Sequence, residues 1–120
     1  MTDQRDQLSL DELAARLAEF ARERDWDQFH APKNLAMALA GEVGELLEHF
    51  QWLSEQQSAN LPADVKDAVA LEMADVLLYL VRLADKLDID LGAAAVRKID
   101  LNAVKYPVDQ FRGSSRKYDD

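Results

Sequence analysis

Apolar residues recur at helical spacing along most of the chain, and end signals divide them into predicted helices. Ser9 and Glu12 form a capping-box pattern, in which each side chain accepts a hydrogen bond from a free backbone N–H at a helix start. The apolar period that follows continues this first helix to about Arg24. A second predicted helix begins near Pro32, a residue suited to the first helical position, and runs to Leu53.

The second half of the chain predicts two more helices. Segment 54–60 is polar, and Pro62 restarts a helix that continues to about Leu87. Asp90 can cap a fourth helix, which stops before Pro107 because a proline disfavours helix at the residue before it. No strand alternation competes with these periods. The short connections, including segment 25–31, favour an all-α, antiparallel four-helix bundle. We expect residues 1–8 to form an extension, residues 9–106 the helical domain, and residues 107–120 a tail that is mobile or ordered by a partner.

The composition is typical of one globular domain. The chain has 120 residues, of which 48% are hydrophobic, so that it can build one core. The net charge of −9 argues against duplex nucleic acid, whose phosphates demand a basic face. A single nucleotide is still compatible, since a bound Mg²⁺ can invert the local field. The absence of cysteine excludes disulfides and thiolate zinc sites. With no signal-peptide core and no apolar run long enough for a bilayer, we expect a cytoplasmic protein without a membrane partner.

Two pairs of acids interrupt apolar helix faces. Glu42 and Glu45 border the apolar row of the second predicted helix, and Glu72 and Asp75 are the only charges in the apolar run 68–81 of the third. An ionised carboxylate in an apolar setting is expensive unless it is paired or binds a metal. Mg²⁺ prefers carboxylate oxygens and keeps open positions for water and phosphates. If the two helices pack antiparallel, the four acids can close one Mg²⁺ site, for which Mn²⁺ is a substitute.

These acids also have other interpretations, which the sequence favours less. A single Glu-x-x-Glu on a helix is usually solvated, so the metal hypothesis depends on both pairs occurring together. A ferritin-like di-iron site needs Glu-x-x-His motifs, whereas His49 follows Glu45 by four residues, which disfavours that site. Gly41 and Gly44 lower the helix propensity of this segment, and they would let another backbone or a ligand come close.

The fourth predicted helix carries a basic stripe. Lys98, Asn102 and Lys105 lie at i, i+4 and i+7, next to Tyr106, so that two cations and an amide share one face. Beside a metal–carboxylate site this face would suit a triphosphate, and otherwise it is a solvated basic edge. Arg82 either helps to bind phosphate or forms a surface ion pair.

Aromatic residues lie at the ends of the predicted helices. Trp26 and Trp52 fall just outside the regular apolar rows. An aromatic residue is more often part of a core, yet a Trp face can stack on a nucleobase. His30 is either a hydrogen-bonding group for a base or a loop residue that caps the second helix.

Five segments together resemble the MazG-like, all-α nucleoside triphosphate pyrophosphohydrolases, and within them the dCTP pyrophosphatase branch. These segments are Arg24-Asp-Trp-Asp-Gln-Phe-His-Ala-Pro-Lys-Asn-Leu, Gly41-Glu-Val-Gly-Glu45, Phe50-Gln-Trp52, Glu72-x-x-Asp75-Val-Leu-x-Tyr79-Leu and Lys98-x-x-x-Asn102-x-x-Lys105-Tyr-Pro107. The acid pairs with the Lys-Tyr-Pro ending are specific to the superfamily, and the Arg-Asp-Trp and Phe-Gln-Trp segments narrow the resemblance to the branch. The resemblance covers nearly the whole chain.

The resemblance implies hydrolysis between the α and β phosphates, which gives a monophosphate and pyrophosphate and serves nucleotide-pool house-cleaning. It implies that the catalytic residues and Mg²⁺ ligands are Glu42, Glu45, Glu72 and Asp75. It places the phosphates near Lys98, Asn102, Lys105 and Tyr106. It places the base and sugar near Trp26, His30, Trp52 and Tyr79. The family assembles as dimers, often paired into tetramers, with sites at subunit boundaries, so a homodimer or homotetramer is implied. One departure is Leu17, where animal dCTP pyrophosphatases carry a His that could read a cytosine edge.

The residues and the resemblance together predict metal-assisted, in-line attack by water, with Glu42 or Glu45 orienting or deprotonating that water. Two other classes of protein stay open at this point. A non-catalytic oligomerisation module would explain the amphipathic helices but not the acids within them. A diffuse Mg²⁺- or Ca²⁺-binding protein would explain the acids but not the basic stripe or the aromatic residues. The large apolar content also predicts at least a homodimer.

Overall fold

The computed structural model describes residues 7–118, and this range is helical without any strand. The longer helices are α1 (Leu10–Glu23), α2 (Pro32–Glu48), α4 (Ala63–Lys86) and α5 (Leu91–Lys105). The short ones are a 3₁₀ turn (Asp27–Phe29), α3 (Glu55–Ser58) and α6 (Val108–Phe111). The predicted all-α class is therefore confirmed. The predicted N-terminal extension lies mostly outside the described residues.

The helix starts follow from the predicted cap residues. Ser9 Oγ accepts from the Glu12 N–H at 3.1 Å, and Glu12 Oε1 accepts from the Ser9 N–H at 3.3 Å, which confirms the capping box of α1. The Asp90 side chain accepts from the Ala93 N–H at 3.0 Å and so caps α5. Pro32 occupies the first position of α2, where its missing N–H costs no hydrogen bond.

The end of α2 differs from its prediction. This helix stops at Glu48 rather than at Leu53. The reason is that the backbone N–H groups of His49 and Phe50 bond three residues back, at 3.2 and 2.9 Å, which tightens the last turn and ends the α-helix.

Segment 54–60 was predicted to be a polar connection, and that prediction was wrong. The segment contains α3, which begins with a second capping box between Ser54 and Gln57 at 3.1 and 2.9 Å. The predicted tail likewise begins with a helical turn, α6, after Pro107. The side chain of Tyr106 meets the rings of Phe111 and Tyr118 edge-on, at centroid distances of 4.8 and 6.0 Å. The domain bounds themselves, 9–106 and 107–120, stay a prediction.

The described residues form two compact units, one ending at Asp88 and the other beginning at Ile89. In the first unit, α4 packs along α2 and also contacts α1. Its buried apolar residues are Ala21, Leu35, Val69, Val81 and Ala84. This packing of three helices positions the site described below. No helix within residues 7–118 combines the length and the hydropathy that a membrane span requires.

Two helices of the first unit end in the same way. Asp25 follows the C-terminus of α1 and Asp88 follows that of α4, each with φ of 55°. This left-handed conformation commonly ends helices and usually falls on glycine, but aspartate tolerates it better than most residues.

Candidate functional site

Three of the four predicted metal ligands come together where α2 packs on α4. One carboxylate oxygen from each of Glu42, Glu45 and Glu72 lies within 4.8 Å of the other two, and we call these residues the acidic cluster. Glu42 and Glu72 are partly buried, whereas Glu45 is exposed. The i, i+3 spacing puts the α2 pair on one side of that helix, and α4 supplies the third carboxylate from across the packed pair.

Two oxygens of the acidic cluster lack a hydrogen-bond donor within residues 7–118. The Oε2 atoms of Glu42 and Glu72 are buried, and neither accepts a hydrogen bond from the described residues. A hydrogen bond to Glu45, which needs a proton on one of the two carboxyls, raises the pKa of Glu42 to about 7, together with burial and the neighbouring negative charges. Burial and the charge of Glu45 raise the pKa of Glu72. A bound divalent cation would relieve this repulsion and replace the missing donors.

Asp75, the fourth predicted ligand, lies beside the acidic cluster. Its oxygens are not among the three that converge. Its negative charge nevertheless contributes to the raised pKa values of Glu42 and Glu72, so the carboxylate is close to both. The Asp75 side chain is exposed and lines a neighbouring cavity. Its role as a metal ligand stays a prediction.

The cavity beside Asp75 has a volume of about 300 Å³ and lies within the first unit. Three of the four residues predicted near the base and sugar line it, namely Trp26, His30 and Tyr79. Leu17 is also in the wall, and most of the exposed surface of the cavity is apolar. Small-molecule sites have this character: an apolar wall with a few polar groups that fix orientation.

Trp26 is held at the cavity by its aromatic neighbours. Its ring meets the ring of Phe20 edge-on, with centroids 5.8 Å apart. The guanidinium of Arg24 lies 3.5 Å from the centroid of Phe20. The indole therefore has a packed partner in Phe20, while 45% of Trp26 remains exposed and open to contact.

His30 and Arg82, which both line the cavity, belong to a set of hydrogen-bonded polar side chains. We call this set, which also contains Asp27, Asp85 and Lys86, the His30–Arg82 network. Arg82 is only 6% exposed. Its Nε donates to His30 Nδ1 at 3.1 Å, its Nη2 to Asp27 Oδ1 at 2.7 Å and its Nη1 to Asp85 Oδ2 at 3.3 Å. Lys86 Nζ donates to the same Asp27 oxygen at 3.0 Å. Of the two interpretations of Arg82, the structure shows ion pairs, but the guanidinium is buried rather than at the surface.

The charges of the network set the protonation of its members. The hydrogen bond and positive charge of Lys86, with the charge of Arg82, lower the pKa of Asp27. Burial, and then the positive charge of Arg82, lower the pKa of His30, so that the imidazole is neutral at pH 7. Helix α2 begins after Ala31 without a side-chain cap, so the alternative that His30 caps this helix is wrong.

The remaining predicted residues lie elsewhere. Trp52 does not line the cavity, and 86% of it is exposed. Lys98, Asn102 and Lys105 lie on α5, and Tyr106 is its C-terminal cap residue, all in the second unit. Their contact with phosphates, like that of Trp52 with a base, stays a prediction.

Sequence reasoning did not anticipate the His30–Arg82 network. Arg82 reaches Asp27 across 55 residues and His30 across 52, which no local spacing reveals. One available signal was that Arg82 falls seven residues after Asp75 and so shares its side of α4. The leucine noted as a departure, Leu17, proves to be part of the cavity wall.

An acidic cluster with two buried oxygens that lack a donor among the described residues, next to an apolar cavity with a Trp and a His, is suited to a divalent cation and a flat organic ligand. Residues 38–120 match the model of the MazG-like family. The chain is 48% identical over 114 residues to dCTP pyrophosphatase 1 of Rattus norvegicus, which covers 93% of this chain and 67% of that protein. It is 46% identical over 112 residues to the Homo sapiens protein of the same name, covering 92% and 66%. The chain spans about two thirds of the length of these relatives.

A solved structure agrees with these relatives. The crystal structure of a pyrophosphatase from Archaeoglobus fulgidus matches with a TM-score of 0.77 and 42% sequence identity, covering 82% of this chain and 92% of that one. The chain therefore belongs to the MazG-like family.

Proposed function

We propose that this chain hydrolyses a deoxycytidine triphosphate, with Mg²⁺, to the monophosphate and pyrophosphate. The coarser activity follows from its relatives: the chain is a nucleoside triphosphate pyrophosphohydrolase. The observation that carries the finer proposal is the position of Asp75. This residue lies close to the acidic cluster and also lines the apolar cavity, so a metal site and a base site adjoin.

The acidic cluster and Asp75 would hold the Mg²⁺. Three carboxylate oxygens within 4.8 Å of one another fit the oxygen ligands that this cation takes. The two buried oxygens without a donor, on Glu42 and Glu72, fit a group that supplies positive charge. When bound, Mg²⁺ would neutralise phosphate charge and lower the pKa of a bound water. Mn²⁺ accepts the same oxygen ligands and is a substitute.

The chain's own groups would prepare the attack by water. Of the two candidate bases, Glu45 is exposed while Glu42 is partly buried, so Glu45 is the side chain that solvent water reaches first. In this proposal Glu45 orients the water or accepts its proton. The water attacks the α-phosphate, and the bond from that phosphate to the leaving pyrophosphate breaks. Lys98 and Lys105 would offset the charge that develops on the leaving pyrophosphate, with Asn102 and Tyr106 contributing hydrogen bonds.

The cavity would bind the base and the sugar. Trp26 offers an indole face, and Tyr79 adds a second aromatic wall. Stacking on an aromatic side chain contributes on the order of 1–3 kcal/mol per base, but it hardly distinguishes one base from another. Selection of cytosine must therefore come from hydrogen bonds, for which the candidates are His30 and backbone groups of the connection 25–31 between α1 and α2.

The proposal includes a homodimer or a homotetramer. Several large apolar side chains on α2 and α4 are exposed in the single chain, and an extensive apolar surface marks a protein interface. They are Met37, Val43, Leu47, Leu71, Met73 and Leu77. Trp52, which is outside its own chain's cavity, would meet the nucleotide bound to a second subunit. A cytoplasmic role in clearing nucleotides, without a nucleic-acid or membrane partner, completes the proposal.

The activity is tested by incubating the purified protein with a panel of ribo- and deoxyribonucleoside triphosphates and Mg²⁺. Ion-exchange chromatography then separates the products. We expect monophosphate and pyrophosphate, with dCTP and 5-substituted dCTP turned over fastest. Diphosphate and orthophosphate as products would contradict the reaction, and faster turnover of purine nucleotides would contradict the base assignment.

The subunit arrangement is tested by mixing two variants, one expected to be inactive and the other to bind the nucleotide more weakly. Glu45→Gln removes a metal ligand, and Trp52→Ala removes the exposed indole. If Trp52 serves the partner's site, a mixed dimer regains one intact site, because the Glu45→Gln subunit supplies Trp52 to its partner's intact acids. We expect activity at low substrate concentration to rise on subunit exchange. If sedimentation shows that mixed dimers form but the activity does not rise, Trp52 belongs to its own subunit's site.

A further inference from the structure

The His30–Arg82 network places a histidine in the cavity wall under the control of a buried cation. Arg82 is 6% exposed, and it is the one charged residue among the buried residues of range 7–118. It also lines the cavity with His30 and Trp26. A buried guanidinium is costly unless carboxylates and hydrogen bonds satisfy it, so the contacts that hold Arg82 define its position closely.

Each of the three guanidinium nitrogens of Arg82 donates to a side chain of the described residues. Asp27 Oδ1 accepts from its Nη2 at 2.7 Å, and Asp85 Oδ2 accepts from its Nη1 at 3.3 Å. Lys86 Nζ, 3.0 Å from the same Asp27 oxygen, holds that carboxylate from a second side. The third nitrogen, Nε, is directed to His30. The guanidinium, which the two carboxylates hold in place, therefore contacts the histidine directly.

The bond from Arg82 fixes the tautomer of His30. A guanidinium has donors and no acceptor, so a bond from its Nε to His30 Nδ1, at 3.1 Å, requires that Nδ1 carry no proton. A neutral imidazole then bears its single proton on Nε2. Burial and the positive charge of Arg82 lower the pKa of His30, which favours the neutral ring. The negative charge of Asp27 acts in the opposite direction but is the smaller effect.

We propose that Arg82 is a positioning residue that sets base selectivity by holding His30 in the Nε2–H tautomer. This inference rests on the proposed function, in which the cavity binds the base. In that tautomer His30 offers one N–H donor and no acceptor to the base. Cytosine presents acceptors at N3 and O2, whereas thymine and uracil carry an N–H at position 3. At position 3 of the base, the donor matches cytosine N3 and opposes the N–H of the other two bases. At the same position the alternative tautomer, with Nε2 as an acceptor, would favour thymine or uracil.

The first test uses the unmodified protein. The chain has two histidines, His30 and His49, so ¹⁵N spectra of labelled imidazoles can be assigned by the signals lost in His30→Gln. At pH 7.5 we expect the chemical shifts of His30 to show an unprotonated Nδ1 and a protonated Nε2. A protonated Nδ1, or a ring charged at both nitrogens, would overturn the inference without any variant of Arg82.

The second test compares two variants of the network. Arg82→Met removes the donor to Nδ1, and we expect the His30 spectrum to show both tautomers. The ratio of kcat/KM for dCTP over dTTP should fall by about tenfold, the upper end of the effect of one hydrogen bond. The fall should come from a higher KM for dCTP, with kcat changed by less than about threefold. Asp85→Asn is the control, because it removes the charge from the longest contact of Arg82 and leaves the Nε bond intact.

The outcomes separate this inference from the proposed function. An equal loss of selectivity in Asp85→Asn would mean that the effect is general loosening of α4, which would overturn the role of Arg82. Wild-type protein that hydrolyses dCTP and dTTP equally well would overturn it too, but would leave metal-dependent hydrolysis standing. Wild-type protein that hydrolyses no triphosphate would refute the proposed function. The imidazole spectrum would then still decide the tautomer.

Discussion

The acidic cluster and the His30–Arg82 network both use charged side chains of α4, but they differ in how those charges are satisfied. In the network, the buried guanidinium of Arg82 donates to Asp27, Asp85 and His30, and positive and negative groups alternate. In the cluster, carboxylates face one another, and two buried oxygens accept no hydrogen bond from the described residues. A charged group whose partners are all present holds the chain in place, whereas one without partners indicates a ligand.

The two regions are about 15 Å apart along one helix, since ten residues at 1.5 Å per residue separate Glu72 from Arg82. Asp75 lies between them in sequence and lines the cavity that Arg82 also lines. The comparison therefore predicts two kinds of mutant behaviour on a single helix pair. Loss of a cluster carboxylate should remove activity and relieve repulsion, and loss of a network carboxylate should weaken the fold and spare the chemistry.

The largest effect is expected for Glu45→Gln. This change keeps the shape of the side chain but removes a charge from the acidic cluster, so we expect kcat to fall by more than about a hundredfold. The melting temperature of the metal-free protein should rise, because one source of repulsion is gone. Glu48→Gln is the matched control: it is an exposed glutamate on α2, outside the cluster, and should change neither quantity. A Glu45→Gln enzyme that keeps more than about a tenth of wild-type kcat would remove Glu45 from the metal site.

Asp27→Asn should lower the stability of the fold and leave catalysis nearly unchanged, which is the opposite of the effect expected for Glu45→Gln. The variant weakens the charge-assisted bonds that hold Arg82 and Lys86, so we expect a lower melting temperature. The affinity for Mg²⁺ should not change, and kcat should change by less than about threefold. Calorimetric titration with Mg²⁺ and thermal unfolding measure the two sides of this prediction. A clear loss of Mg²⁺ affinity would show that the network supports the metal site, which would break the comparison.

A third prediction concerns pH. The pKa of Glu42 is raised from its ordinary 4.5 to about 7, so the folded chain binds this proton more tightly than the unfolded chain. Its contribution to stability is therefore largest below pH 4.5 and decreases as the pH rises towards 7. The variant Glu42→Gln has no proton to lose at this position, so its stability does not decrease in this way as the pH rises. The melting temperature of the variant, relative to wild type in EDTA, should increase steadily across that window, and added Mg²⁺ should cancel the advantage. A difference that does not vary with pH would contradict the raised pKa.

The pKa of His30 predicts the opposite dependence. Because it is lowered from its ordinary 6.5, the unfolded chain binds this proton more tightly, and stability is lost as the pH falls below 6.5. For this reason the pH test compares a variant with wild type, so that the contribution of His30 appears in both and cancels.

The smallest effect is expected for Gly44→Ala. A Cβ at Gly44 would meet no atom within 4 Å in its own chain, so in an isolated subunit the change should only favour the helix, by up to about 1 kcal/mol. We expect the reverse, a weaker dimer, because the proposed interface brings a second backbone to this side of α2. Sedimentation equilibrium at several protein concentrations measures the dissociation constant of the dimer. A more stable protein with unchanged self-association would place the interface elsewhere.

Local signals predicted most of the helices. The Ser9–Glu12 capping box placed the start of α1, because the bonds that begin a helix are made within four residues. The same chemistry occurs at Ser54 and Gln57, where it starts the short helix α3, which the polar composition of segment 54–60 does not predict. The predicted end of α2 was too late because apolar residues continue past Glu48 while the backbone changes to a turn.

The candidate site was only partly predictable, for a physical reason. Unpaired acids in apolar helix faces are visible in the sequence, since their neighbours on the same helix are known from spacing alone. The partners of Arg82 are not, because Asp27 and His30 reach it from a connection more than fifty residues away. Sequence patterns therefore predicted that the acids of the cluster have no partners on their own helices. They did not predict which residues bind Arg82.

The connection between α1 and α2, with its short 3₁₀ turn, has a consequence for how such enzymes diversify. The proposed metal ligands lie on long, packed helices, whereas Trp26 and His30 lie on this short loop. Loops accept replacement more readily than the helices that they join. If this loop selects the base, as proposed, then substitutions at a few of its positions can change the base preference. The acidic cluster that would hydrolyse the anhydride stays unchanged. A graft of residues 25–31 from a relative with another preference should carry that preference with it.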